Sequence, residues 1–506
     1  MSLQDLSNYD EPISQSQMDI RTEYVEPITS NTHKFTFRLD QSGYLDENSM
    51  LTFKLLATDG TGKYRANVWN GALGGIKRVI FQVGDNVLND IQEIYKYATL
   101  KNMNLPPLMR NKKLGHYLGN QFHTHAINSA TDVAKDYYSG DIFTSYPSYN
   151  AQDTNARVGS IATDISRSGI NFGQFDDGTG AIRNSGAISN DASLNQQFGI
   201  PLGFLIPAIR GQKVPLFLFQ DQRILITVEF NTSEKYVNNL LAAECVYTTD
   251  GKVATASPTA VVPTEVRLVV DYIIMPSEIQ NEVIEQTKKE GGYRLEFYDV
   301  VNVEKNIPVG TNGTIQNIEH RIGQNGREVH NIIMWKEGQA DDLKVVGDNA
   351  KSSALLLGQH CRGFEEEEYN CEVNGREEFP EFKFNPVSQW NEIGEVLGSS
   401  FKVDRPMYCN DSNTSSTVLC SRNDGMLGNM KPLGLSLRNG EPVIVGGGRQ
   451  IGNYPIVWKW RRKCANAAVQ NCRKTNTVVK CSYFIEVSRV ANVMNTGRGM
   501  SVIVSY

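Results

Sequence analysis

The chain has 506 residues, 40% of them hydrophobic and 21% charged, with a formal net charge of −6. The length leaves room for two large β-domains, and the acidic balance excludes a generic nucleic-acid binder. No run of about 18 apolar residues occurs, so no spanning helix is expected. The polar start, Met1-Ser2-Leu3-Gln4-Asp5-Leu6, carries no basic and apolar leader, so folding in a cytosol is expected.

Residues 1–20 are polar and read as an N-terminal arm. Phe35, Phe37 and Leu39 alternate with polar residues, as do Leu51, Phe53 and Leu55, which is the pattern of half-buried strands. Gly43 falls in the turn between them. Ile76 to Val83 predicts another strand, closed by the hairpin signal Gly84-Asp85-Asn86. Asp90 then stands as a helix cap with Glu93 three residues on, and Ile91, Ile94, Tyr95 and Ala98 form the helix's apolar stripe. Residues 126–200 are dominated by Gly, Ser, Asn and Asp and read as an elaborated insertion with short strands. Patterning returns at Ile200 to Ile209 and again from Val214.

The middle of the chain is the most informative part. Ile224, Ile226, Val228 and Phe230 share one face of a strand. Val266 to Ile274 is β-branched and apolar, and Pro276 stops it. Ser277 and Gln280 form a capping-box pattern for a helix through Lys289, and Gly291-Gly292 closes that helix. A new strand begins at Tyr293. Ile332 to Trp335 and Phe382-Lys383-Phe384 read as strands, and Pro386 to Leu397 as a short helix. Residues 405–454 are loop-rich, and Val478 to Val487 and Met500 to Tyr506 recover strand character.

The two halves share a plan in which a long loop-rich middle closes on two apolar strands, 223–231 with 265–275 and 481–490 with 500–506. Two tandem eight-stranded jelly-roll sandwiches account for this. The expected fold is all-β, with long loop insertions and a few short helices. The expected divisions are an arm over 1–20, a first roll over 21–276, a helical linker over 277–291 and a second roll over 292–506.

The chemistry-bearing motifs are sparse. Gly60-Thr61-Gly62-Lys63 is followed by Tyr64, so it lacks the spacing and the hydroxyl of a phosphate loop. Asp177-Gly178-Thr179-Gly180 reads as a polar loop, and no nucleophile elbow or zinc-protease helix occurs. His123 and His125 supply two of the four ligands that a structural zinc needs. His360, Cys361, Glu365 to Glu368 and Cys371 form the richest ligand cluster, but the glutamates read more simply as a solvated, self-repelling face. Trp458-Lys459-Trp460-Arg461-Arg462-Lys463 interleaves aromatics and cations. A strand with a buried Trp face and an exposed basic edge accounts for it, with stacking on nucleic acid as the alternative. Lys112-Lys113 is too short a basic run to carry a site.

Cys245 lies in the first half, and Cys361, Cys371, Cys409, Cys420, Cys464, Cys472 and Cys481 lie in the second, with no C-x-x-C among them. Buried thiols are expected in a reducing cytosol. The sequons at Asn312 and Asn413 are expected to stay unmodified. No catalytic, cofactor-binding or metal-binding residue is assigned.

With these residues in place, the chain resembles the double jelly-roll major capsid proteins of polinton-like viruses, virophages and related large eukaryotic DNA viruses. The resemblance rests on Gly43 to Phe53, on Gly75 to Tyr97, and on Val266 to Pro276 followed by Ser277-Glu278. It implies a structural protein, not an enzyme, that forms homotrimers mimicking a hexagon and tiling an icosahedral shell. The implied location is the virion capsid, with assembly in the host cytoplasm or nucleus. Neighbouring capsid trimers and minor capsid proteins, such as penton and cement proteins, are the implied partners. No cofactor, no sequence-specific nucleic-acid contact and no membrane span are implied. The resemblance also makes 126–200 a candidate surface tower, with 405–454 a weaker one. The competing reading is a glycan-binding or adhesive tandem β-sandwich. A β-sandwich hydrolase is a third class, for which no paired acid and base is visible.

Overall fold

The computed structural model describes residues 19–58, 63–66, 71–103, 115–118, 175–176, 182–183, 187–188, 197–219, 222–231, 237–240, 261–308, 310–311, 314–338, 367–383, 386–397, 432–438, 447–463, 479–495 and 500–505. The 1–18 part of the arm, most of the 126–200 insertion and all of 405–431 lie outside them.

The first half supplies eight main strands: β1 (Asp19–Val25), β2 (Lys34–Leu39), β3 (Met50–Ala57), β4 (Ile76–Val83), β5 (Asn86–Gln92), β6 (Gln197–Pro201), β7 (Ile224–Phe230) and β8 (Val261–Ile274). One antiparallel sheet runs β1-β8-β3-β6 and the other β2-β7-β4-β5. The alternation of Phe35, Phe37 and Leu39 with polar residues places all three inside. Leu51, Phe53 and Leu55 do the same from the facing sheet. Edge-to-face aromatic contacts tie the layers together, with Phe53 and Phe230 centroids 5.0 Å apart and Phe35 and Phe230 5.6 Å apart.

The second half repeats that order strand for strand. Its members are β9 (Gly292–Ile307), β10 (Ile315–Gly323), β11 (Glu328–Gly338), β12 (Glu367–Val373), β13 (Arg376–Glu377), β14 (Leu433–Ser436), β15 (Ile456–Lys463) and β16 (Val479–Asn495). The sheets run β9-β16-β11-β14 and β10-β15-β12-β13. Each strand therefore occupies the place of the strand eight earlier. In each half every connection but one crosses between the sheets, the exceptions being the hairpins β4–β5 and β12–β13, and that is the jelly-roll topology. A further strand, β17 (Met500–Ser505), pairs with the end of β16 beyond the reach of β11.

This corrects the match between halves. The counterparts of 224–230 and 261–274 are β15 and β16, and 500–505 has no counterpart among the described strands of the first sandwich.

The three longest described helices are α1 (Ile94–Met103), α2 (Ser277–Lys289) and α3 (Pro386–Leu397). Asp90 does not cap α1. It lies inside β5, where its carboxylate accepts from Arg78 Nε at 2.7 Å and Nη2 at 2.6 Å, and Glu93, at φ 54°, makes the break into α1. The capping box at α2 is also absent. Pro276 is the cap residue and Ser277 already sits inside the helix; Gln280 instead donates through Nε2 to the Met275 carbonyl at 2.9 Å. Phe382-Lys383-Phe384 makes a single bridge from Lys383 to Tyr369 and no strand among its described residues.

Gly43 shows how tightly the first sandwich closes. Its φ is +73°, and a Cβ there would lie 2.4 Å from the Ile273 carbonyl oxygen. Gly211 has φ +70° but open space around it. Gly43→Ala is therefore expected to cost about 3 kcal/mol and Gly211→Ala about 1 kcal/mol, since only the first adds a backbone clash to left-handed strain. Chemical denaturation of the two variants measures the difference.

Candidate functional site

The described residues gather no three His, Cys, Asp or Glu side chains suited to a metal ion. What they do gather is a buried polar junction between the sandwiches. Strand β5 and helix α1 of the first sandwich lie against the sheet β9-β16-β11-β14 of the second.

The sequence of β16 explains how that sheet can be covered on both sides. Residues 481–489 are buried without interruption. Cys481, Tyr483, Ile485 and Val487 point into the second sandwich's own core. The alternate positions, Ser482, Phe484, Glu486 and Ser488, point the other way, and Phe484 joins the core of the first sandwich. Trp335, Ile333, Phe297 and Leu295 belong to the same cluster, so the two sandwiches share one apolar body.

Glu486 is the electrostatic centre of the junction. Its Oε1 takes the Lys101 ammonium at 2.9 Å and the Tyr97 hydroxyl, and its Oε2 takes the Asn331 side-chain amide and Arg438 Nη2, the last at 3.4 Å. Arg210 Nη1 donates to the Tyr97 hydroxyl at 2.9 Å. Burial alone would raise the Glu486 carboxyl. The Lys101 charge, the Tyr97 and Asn331 hydrogen bonds and the Arg438 charge more than reverse that, and hold it down to about 2. Burial, joined by Arg210 and Arg438, pulls the Lys101 ammonium down, while Glu486 pulls the other way.

Two further contacts flank this centre. Lys96 of α1, fully buried, sits 2.7 Å from Glu337 Oε2 and 3.3 Å from Glu93 Oε2, and donates to Ser482 Oγ at 3.2 Å. Asp299 of β9 accepts from Asn89 Nδ2 at 2.8 Å and from Arg489 Nη1 at 2.9 Å. Arg489 Nη1 also donates to the Leu88 carbonyl at 2.7 Å, and Asn86 Nδ2 to the Val502 carbonyl at 2.6 Å. Both groups tie the first sandwich to the second. Charges so arranged fix which residues meet across the junction, because a shifted register would leave one of them buried without its partner.

No protein-family model and no curated protein matches the chain. Solved structures do match. The crystal structure of VP54 of PBCV-1, fitted into a reconstruction of the virophage Sputnik, has a TM-score of 0.55 at 9% identity, covering 99% of this chain and 100% of that one. A quasi-atomic model of the PBCV-1 capsid gives 0.54 at 11% identity, over 99% and 100%. The cryo-EM structure of the Sputnik virophage gives 0.51 at 9%, over 100% and 92%. The chain has the double jelly-roll fold of these viral proteins.

Within the double jelly roll the sequence candidates scatter. His123, His125, Lys112, Lys113, Gly60 to Gly62, Asp177 to Gly180, His360, Cys361, Glu365 and Glu366 lie outside the described residues, as do all the cysteines except Cys371 and Cys481, which are buried. Lys63 begins a short strand, Lys63–Ala66, paired with Val237–Leu240.

The solvated acidic face is overturned at Glu367. That side chain is fully buried, 2.5 Å from the buried Lys336 ammonium and 3.2 Å from Trp460 Nε1. Glu368 pairs with Arg461 at the surface. In the Trp458 to Lys463 run, Trp458 and Trp460 are buried and Tyr369 stacks on Trp458 at 5.1 Å. Lys459 bridges Glu372 and Glu377, at 3.2 Å and 2.7 Å. Arg462 departs from the basic edge. It lies on the buried face and donates to Gln316 Oε1 at 2.8 Å and to the Pro308 carbonyl. Lys459, Arg461 and Arg462 thus each have a partner within the sandwich.

Sequence reasoning missed Glu486, Lys101, Tyr97 and Arg489. Ser482, Glu486 and Ser488 give that face of β16 the polar look of a solvent face, and Phe484 among them is the local sign that it is covered.

The depressed Glu486 pKa sets a sign for acid stability. The carboxylate favours the folded state above its usual 4.5, and that contribution drains away as pH falls from 4.5 to about 2. Glu486→Gln is expected to cost about 3–5 kcal/mol at neutral pH by stranding Lys101. The gap between wild type and variant should narrow as pH falls through that window. Urea unfolding of both proteins at a series of pH values measures the gap.

Proposed function

We propose that this protein is a major capsid protein, the structural subunit of an icosahedral virus shell, and that it acts by assembly rather than catalysis. The observation that carries this is the strand-for-strand duplication of one eight-stranded sandwich, fused side by side through a charged and apolar junction. The whole-length likeness to the PBCV-1 and Sputnik structures supports it.

The duplication suits a hexagonal building block. Three copies of a chain that carries two equivalent sandwiches present six similar corners, and closed cyclic symmetry makes the block finite. The proposed units are a first roll over 21–276 and a second over 292–506, joined by the linker 277–291. In the linker, Val283 and Ile284 of α2 are buried in the shared core, so it acts as a brace and not a tether. Neighbouring trimers and minor proteins at the vertices and between capsomers are the proposed partners, and the virion shell is the proposed location. Among the described residues no helix is long and apolar enough to cross a membrane.

Light scattering coupled to size exclusion tests the block directly. At micromolar concentration the expected mass is three times the 56.4 kDa of one chain. Negative-stain images are expected to show hexagonal outlines with a threefold centre. A well-folded monomer at that concentration would overturn the trimer.

A further inference from the structure

The chain sets three largely buried lysines against carboxylates: Lys96 against Glu337, Lys336 against Glu367 and Lys101 against Glu486. The third pair differs in that a carboxamide completes it. Lys101 comes from the last turn of α1 in the first sandwich. Asn331 of β11, in the second, stands directly across from Glu486 of β16. Glu486 Oε1 takes the Lys101 ammonium at 2.9 Å, and Oε2 takes the Asn331 Nδ2 amide. One carboxylate thus bridges an amine and an amide that belong to different sandwiches.

The surroundings of Lys101 also differ from those of Lys96. Burial would pull the Lys96 ammonium down, but the charges of Glu337 and Glu93 more than reverse that and hold it up. At Lys101 burial, joined by the charges of Arg210 and Arg438, prevails over Glu486. Lys101 therefore gives up its proton more readily than an ordinary lysine, and a neutral amine is a nucleophile. The same cations help to keep Glu486 ionised, so it stands ready to accept a proton.

Two buried atoms at this centre have no hydrogen-bond partner, Asn331 Oδ1 and Arg438 Nε. Arg438 Nη2 reaches the same Glu486 oxygen that the Asn331 amide occupies, at 3.4 Å. The Asn331 carboxamide therefore lies beside a guanidinium that has an N–H to spare.

We propose that Lys101 and Asn331 join in an amide bond that links the two sandwiches covalently, with Glu486 carrying the proton between them. Until the bond forms, the ion pair described above holds the three groups together. Once the ammonium has released a proton to solvent, Lys101 Nζ attacks Asn331 Cγ. The carbonyl electron pair moves onto Oδ1, beside the Arg438 charge. Glu486 takes a proton from the attacking nitrogen and, as a carboxylic acid, gives it to Asn331 Nδ2. The pair on Oδ1 returns, the Cγ–Nδ2 bond breaks and ammonia leaves. An amine and a primary amide thus give a secondary amide and ammonia. Nothing is oxidised or reduced, and no co-reactant is needed. Holding both groups on one carboxylate supplies the approach that a free amine and amide lack in water.

Mass spectrometry of the full chain tests the bond. The intact wild type, 56.4 kDa by sequence, is expected about 17 Da light, the mass of the ammonia lost. Its tryptic digest is expected to contain a branched peptide joining Lys101 to Asn331. Lys101→Arg keeps a positive charge against Glu486 but offers no amine to acylate. Glu486→Gln keeps the amine and the amide but removes the proton carrier. Both variants are expected at full sequence mass, with circular dichroism to check their fold. A wild type at full mass, or a digest without the branched peptide, overturns the proposal. A deficit that persists in Lys101→Arg also overturns it, because the ammonia then comes from ring closure at another asparagine. A branched peptide that persists in Glu486→Gln overturns the part given to Glu486. The wild-type digest decides for or against the bond even where a variant fails to fold.

Discussion

The central strands β16 and β11 of the second sandwich's sheet are buried on both faces over 481–489 and 329–337, and the rest of the molecule depends on that. A sheet in an ordinary two-layer sandwich has one dry face and one wet one. Here the wet face is replaced by another sandwich. The chain meets the demand by giving β16 two characters at once, aliphatic and aromatic toward its own core and mixed polar and aromatic toward the neighbour. Phe484 anchors the apolar part and Glu486 the charged part, two residues apart on one face.

The polar part of the junction defines geometry more than it adds stability. Two apolar surfaces can slide against each other at little cost. A carboxylate that must meet Lys101, Tyr97, Asn331 and Arg438 together accepts one register. The Asp299, Asn89 and Arg489 group sets a second fixed point along the same interface. Two such points specify one relative placement of the sandwiches. The cost is sensitivity, because any change that strands one of these groups leaves a buried charge unpaired.

The expectations that fail have a common cause. Asp90, Ser277 with Gln280, and Glu367 each invite a reading from local chemistry, and in each case a contact from another strand or from the preceding segment has first claim on the group. Asp90 is held by Arg78 across a hairpin, Gln280 reaches back to Met275, and Lys336 draws Glu367 into the core. The aromatic and basic strand Trp458 to Lys463 goes the other way. Alternation alone is enough to expect its buried tryptophans, and Arg462 is where the pattern breaks.

The sequence by itself determined that the protein is all-β, that a helix over 277–289 divides it, and which residues of Phe35 to Leu39, Leu51 to Leu55 and Ile224 to Phe230 face a core. Those are properties of period-two burial and of chain-breaking residues, which act over a few positions. Tertiary structure alone decided that β16 rather than β17 answers to β8, that Glu486 is interior, and that the outer face of the second sandwich's central strands is covered by the first. Each of these depends on which surfaces meet across a hundred residues or more of chain, and period-two patterning is blind to whether the second face of a strand meets water or another sheet.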